Sequence, residues 1–179
     1  PDDAAAMVPS LLKIGDEWWM WYTGVKFSAL GHQNIHLCLA KSSDGIHWDK
    51  YPGNPVLTDD FSDGSPRSVT SRCYVRRDDG VFRLWYSFGK PDYRIFYAES
   101  LDGVHWERSP IAPVLGPSPR PAWDDVMVEY PEVDIVDGVF RLWFCGNGFG
   151  SVGYAEGCPQ TGVRISVRSG DTQTPGEEW

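Results

Sequence analysis

One stretch of this chain is written twice, and a third copy is begun. From Gly80 to Leu115 the segments GVFRLWYS, YAESLDGVHWER and PVL echo EWWMWYTG, LAKSSDGIHWDK and PVL between Glu17 and Leu57, and GVFRLWFCG followed by GYAEG opens again at Gly138. The pairs Asp44/Asp102, Trp48/Trp106 and Pro55/Pro113 stand 58 residues apart, as do Gly80/Gly138 and Trp85/Trp143. A repeat of that length is a structural unit, and it constrains both the fold and the place of any active site.

Within each unit the apolar residues alternate or form short runs bounded by Gly, Asp, Asn or Pro, which is the strand signature. Nine Trp, eight Tyr and eight Phe, set among 19 Gly and 14 Pro, favour short strands and tight turns over helices, so the chain is read as all-β. Four strands per unit are expected. In the second unit they run from Cys73 to Arg77, Phe82 to Phe88 and Arg94 to Glu99, with a short one around Trp106. The first unit supplies Ser10 to Ile14, Trp18 to Tyr22 and His36 to Lys41, and the third supplies Val133 to Val136, Phe140 to Cys145 and Val152 to Glu156.

The motif Ser-x-Asp-Gly-x-His-Trp occurs at Ser42 to Trp48 and at Ser100 to Trp106. Asp supplies a side-chain hydrogen bond, Gly supplies a positive φ, and the Trp is expected to pack between neighbouring sheets. His47 and His105, at identical steps of successive repeats, point outward at equivalent places and are read as parts of the scaffold.

Four-stranded units of this size suggest blades of a β-propeller, whose radial repetition protects strand edges. The blades span approximately residues 1–57, 58–115 and 116–165. Residues 166–179 form a C-terminal tail, because after Gly157 the hairpin motif does not return. About three blades do not close a ring that typically has about four to eight. Either further blades lie outside this chain, or copies associate as a homo-oligomer to complete it, or the open edges are covered in some other way.

The formal charge of −9 argues against nucleic acid or an anionic membrane surface as partner, since both are bound through clustered Lys and Arg. Cys38, Cys73, Cys145 and Cys158 lack C-x-x-C spacing, which argues against a zinc site, while their even number permits two disulfides; the compartment stays open. No cofactor or metal is expected. No apolar run approaches the roughly 20 residues of a membrane span. The opening PDDAAAMVP is neither a Met start nor a signal peptide, so a fragment or a processed form is expected.

The Pro-led first strand (Val8 to Leu12), then WWMWYTG, LAKSSDGIHW and NPVL, resembles the five-bladed propeller superfamily of glycoside-active enzymes. That superfamily includes the arabinanase/xylosidase, invertase/levanase and mannoside-phosphorylase families. The resemblance covers roughly residues 5 to 157 and implies a central funnel where the innermost strand of each blade offers polar residues to a sugar. It also implies three acidic residues near the starts of the innermost strands, the acid/base being a Glu in an E-x-P context. Glu129, two residues before Pro131, matches that context. Aligning the units on Trp21, Trp85 and Trp143 places Met7-Val8, Ser71-Arg72 and Glu129-Tyr130 opposite one another. The acids expected in the first two blades are therefore replaced by Val8 and Arg72.

Glycoside hydrolysis needs two carboxyl groups flanking one bond. Asp2, Asp3, Asp124 and Asp125 all precede innermost strands, and Asp125 joins Glu129 as a catalytic candidate. Glu129 has the opposite parity from Glu132 and Asp134, so it shares their face only if the strand bulges. Trp123, in the irregular segment GPSPRPAWDD, and Tyr130 offer flat faces on which a sugar ring can stack. Arg67, Arg72 and Arg120 lie before or at innermost strands, and converging arginines suit a carboxylated sugar or a phosphate. The leading expectation is a glycoside hydrolase-like propeller cleaving glycosidic bonds by carboxylate acid/base chemistry, with Glu129 as general acid. The alternative is a non-catalytic carbohydrate-binding or scaffold propeller, completed by self-association.

Overall fold

The structure, a computed structural model, describes residues 2–27, 33–58, 70–89, 92–148 and 150–158. Among them are eleven strands and no helix. The first sheet holds β1 (Ala5–Ile14), β2 (Glu17–Phe27), β3 (Gln33–Ser42) and β4 (Asp49–Lys50) in sequence order. The second repeats that order with β5 (Thr70–Asp78), β6 (Val81–Phe88), β7 (Arg94–Ser100) and β8 (Glu107–Arg108). The third has β9 (Val128–Val136), β10 (Val139–Gly146) and β11 (Val152–Gly157), with β10 central. All neighbouring strands are antiparallel, so each sheet is an up-and-down meander of the kind expected for a propeller blade. The expected tail, 166–179, lies outside the described residues.

Local chemistry sets the turns. Asp78 pairs with Val81 and Val136 with Val139, leaving the two-residue loops Asp79-Gly80 and Asp137-Gly138. All four of those residues have φ between 47° and 80°, the type I′ geometry that Asp-Gly favours and that matches strand twist. The repeated motif closes the next corner of the first two sheets as expected. Asp44 Oδ1 accepts from the N–H groups of Ile46 and His47, both at 2.8 Å, and Asp102 Oδ1 does the same for Val104 and His105. His47 Nδ1 and His105 Nδ1 each sit 2.7 Å from the Oδ2 of their own Asp, with largely exposed rings.

The sheets stack through aromatic residues. Trp21, fully buried, packs 5.6 Å from Phe82 and 6.3 Å from Trp106, and its Nε1 donates to the Gly103 carbonyl at 2.8 Å. Trp85 occupies the same step one sheet further on, 5.0 Å from Phe140. Aromatic side chains bury about 150–250 Å² each, so each is worth about 4–6 kcal/mol of apolar transfer. The third member of the series, Trp143, is 39% exposed, because no described sheet lies beyond the third. At the other end Trp48 lies against Met20, Tyr22, Cys38 and Ala40 on the outer face of the first sheet. Packing of the hairpin Trp between sheets therefore holds for Trp106 and not for Trp48. Burial pushes the Cys38 and Cys73 thiols up to about 11 and about 12, and with Cys145 they carry no disulfide.

Candidate active site

The innermost strands β1, β5 and β9 begin earlier than the sequence suggests, and the reason is the same in each. Their expected starts, Ser10, Cys73 and Val133, follow Pro9, Arg72 and Pro131; the strands instead continue N-terminally through a β-bulge. The ladder slips between Met7 and Ser10, between Ser71 and Cys73, and between Glu129 and Glu132. Val8, Arg72 and Tyr130 stand at these bulges with φ of 47°, 40° and 57°, a left-handed conformation uncommon for residues other than Gly and least comfortable for a β-branched Val. Bulges re-aim side chains and gather next to active sites.

Neighbouring sheets hold these bulges in place. Tyr130 N–H donates to Ser87 Oγ of β6 at 2.9 Å, and Val75 N–H donates to Ser10 Oγ of β1 at 2.9 Å. Cys73 Sγ approaches the Val8 carbonyl at 4.0 Å. The fully buried Ser87 hydroxyl was not singled out in the sequence. Its signal is its place two residues after Trp85, matched by Thr23 after Trp21 and Cys145 after Trp143.

The bulge also changes which face Glu129 takes. Glu129 pairs with Cys145, Glu132 with Trp143 and Asp134 with Arg141, so the three acids share one face despite their parity in sequence. Of these only Glu129 is buried, at 5% exposure. Burial pushes its carboxyl above the usual carboxylate range, and among the described residues it has no hydrogen-bond or ion-pair partner. Arg72 reaches across from β5, its guanidinium carbon 4.9 Å from the centre of the Tyr130 ring. Burial raises the Tyr130 hydroxyl and the Cys145 thiol; Glu129 raises both further and Arg72 opposes the rise. Glu129, Tyr130, Arg72 and Cys145 thus form one cluster where β5, β9 and β10 meet.

The other candidates sit on the loop leading into β9 or out of view. Asp125 Oδ2 accepts from Ala122 N–H at 3.2 Å and Oδ1 from Asn147 Nδ2 at 3.1 Å, bonds that hold its carboxyl below the usual range. Asn147, at φ 48°, also accepts from Val126 and Met127 N–H, so the pair clamps that loop to the end of β10. Trp123 stacks on Phe144 at 5.6 Å and lies over Gly146 and Gly153, where an added Cβ would come within 2.2 and 2.5 Å of its ring. Asp124 is 1% exposed and accepts from Ser118 Oγ at 3.0 Å. Asp2 is engaged by Tyr22 and Lys50, each at 2.7 Å. Arg67 lies outside the described residues. Val8 and Arg72 fill the matching bulge positions with side chains that cannot act as carboxylates.

No protein-family model matches the chain. Two curated relatives, the uncharacterized proteins Rv1502 and MT1551 from two strains of Mycobacterium tuberculosis, are each 32% identical over 155 residues, covering 86% of this chain and 50% of theirs. Among solved structures, the Bombyx mori GH32 beta-fructofuranosidase BmSUC1 superposes with a TM-score of 0.68 at 19% identity, covering 94% of this chain and 38% of that one. A glycoside hydrolase gives 0.71 at 20% identity, with 97% and 51% coverage. A structure from the GH130 family of mannoside phosphorylases gives 0.66 at 17% identity, with 91% and 48% coverage. The chain spans about half the length of the curated relatives it matches. Its sheets share the fold of these solved structures, the β-propeller blades expected from the sequence.

Proposed function

We propose that this chain is the site-bearing part of a carbohydrate-active propeller that cleaves glycosidic bonds, with Glu129 as general acid. The observation that carries the reading is the state of Glu129: nearly buried, unpartnered among the described residues, and raised by desolvation at a bulge. A carboxyl whose acid form is favoured by burial can protonate the departing glycosidic oxygen as the bond to the anomeric carbon breaks. A second carboxylate then attacks that carbon, about 5 Å from the first, or deprotonates a water, about 6.5–9.5 Å away. With Met7-Val8 and Ser71-Arg72 at the positions that match Glu129-Tyr130, that partner comes from outside the described residues or from the Asp125 loop. Tyr130 and Arg72 hold the sugar, with Trp123 and Arg67 as further binding candidates.

A specific observation favours a second reading. Met7 and Ser71 stand at the step that Glu129 occupies in the third sheet, so two of the three carry no acid, which suits a propeller that binds carbohydrate without cleaving it. The two readings separate on a panel of arabinosides, xylosides, fructosides and mannosides. Catalysis predicts sugar release that falls by about 100-fold or more in Glu129→Gln. Measurable sugar binding with no release by the unaltered protein would overturn the catalytic reading and leave the binding one.

A further inference from the structure

We infer that Arg72 is an oxyanion-binding element of this site, and that the ligand it selects is a carbohydrate carrying, or accompanied by, a carboxylate or phosphate group. The inference rests on the carbohydrate reading above and names its substrate class.

Several basic side chains of this acidic molecule are already engaged by acids. Lys50 is held by Asp2, Lys26 by Asp3, and Arg83 by Asp78 and Glu99. Arg76 bonds to the Tyr74 hydroxyl, which in turn bonds to Glu132. Arg72 is exposed, and no described carboxylate forms a salt bridge with it. The acid of its own cluster, Glu129, is buried and forms no ion pair with the exposed guanidinium. The corresponding position on β1 is the neutral Val8, and the second sheet's bulge contributes a cation where the resemblance implies a carboxylate.

The geometry suits recognition by shape as well as charge. A guanidinium over an aromatic face is held by cation–π attraction, and its N–H donors lie in its own plane. Those donors form the fork that takes two oxygens of one carboxylate or phosphate. The bulge at φ 40° fixes where the side chain leaves the strand. The chain's formal charge of −9 repels anions at long range, so an anion retained here is selected by short-range contacts and not by the general field.

The test uses the full chain at fixed ionic strength, titrated by calorimetry with D-galacturonate, D-glucuronate, their neutral parents D-galactose and D-glucose, and inorganic phosphate. At least one anionic probe is expected to bind about tenfold or more tightly than the neutral sugars. Arg72→Gln is expected to erase that preference, while Arg72→Lys, which keeps the charge and loses the fork, restores part of it. Circular dichroism and urea midpoints establish that both variants are folded. A uronate preference lost in Arg72→Gln identifies the carboxylate as the source; Arg72-dependent binding of phosphate alone identifies phosphate. Neutral sugars binding as tightly as their acids, or anion binding untouched by Arg72→Gln, would overturn the inference and leave the carbohydrate reading standing. Failure of every probe to bind would also overturn the inference, while the carbohydrate reading is decided separately by the panel of arabinosides, xylosides, fructosides and mannosides.

Discussion

Trp21 and Trp85 provide a matched pair for measuring what one buried hydrogen bond contributes to blade stacking. Both are fully buried at the same step of their sheets, and both pack against the equivalent Phe of the next sheet. They differ in their indole hydrogen bond: Trp21 Nε1 donates to Gly103 O at 2.8 Å, whereas Trp85 Nε1 has no partner among the described residues. Changing each to Phe removes similar apolar volume, so the cavity contributions largely cancel in the difference. Trp21→Phe also strands the Gly103 carbonyl, which costs about 1–3 kcal/mol, while Trp85→Phe removes an unsatisfied donor and recovers energy of the same kind. The expected gap is about 2 kcal/mol or more, with Trp85→Phe the more stable variant. With a urea m-value of about 2 kcal/mol/M, the two midpoints separate by about 1 M. Coincident midpoints at unchanged m, or a less stable Trp85→Phe, would refute the reasoning.

Two further outcomes follow from the same geometry. Gly103 and Gly45 share a left-handed conformation, φ 74° and 77°, but an added Cβ at Gly103 would meet Trp21 at 2.9 Å while one at Gly45 stays 3.4 Å from Trp18. Gly103→Ala should therefore destabilise by about 1–3 kcal/mol more than Gly45→Ala, the overpacking cost, and equal thermal shifts would contradict it. The folded pKa of Glu129 is raised, so its favourable contribution is complete below the ordinary carboxylate value and is lost as pH rises through the folded value. Glu129→Gln does not titrate, so it should gain stability relative to the unaltered protein across that window; parallel stability profiles from about pH 4 to about pH 8 would remove the desolvation argument.

The elements legible in the sequence are those whose chemistry is local. Asp79-Gly80 and Asp137-Gly138 declare their turns because only a few residues tolerate two successive positive φ values. The Asp44 and Asp102 hairpins repeat because one carboxylate oxygen can satisfy two adjacent N–H groups. The innermost strands were harder to delimit. Pro9 and Pro131 read as boundaries since Pro cannot donate to a ladder, yet a bulge leaves a residue outside the ladder, where that deficit is harmless. The packing of Trp123 was hidden for another reason: the slot beneath its ring is made by Gly146 and Gly153, far away in sequence, and nothing in GPSPRPAWDD points to them. Alignment of the repeats placed Arg72 and Tyr130 at one step, but their contact depends on how far the second and third sheets are rotated, which no single repeat encodes.

The hydrogen bond from Tyr130 to Ser87 has a consequence for how such a protein can be altered or recombined. The residue beside the candidate acid is positioned by a hydroxyl that belongs to the preceding repeat. Duplicating, deleting or exchanging a repeat therefore changes two sites at once, the one it carries and the one it supports. A graft of the third unit alone would bring Glu129 but leave its backbone unmoored. The smallest portable module is a repeat together with the central strand of the one before it.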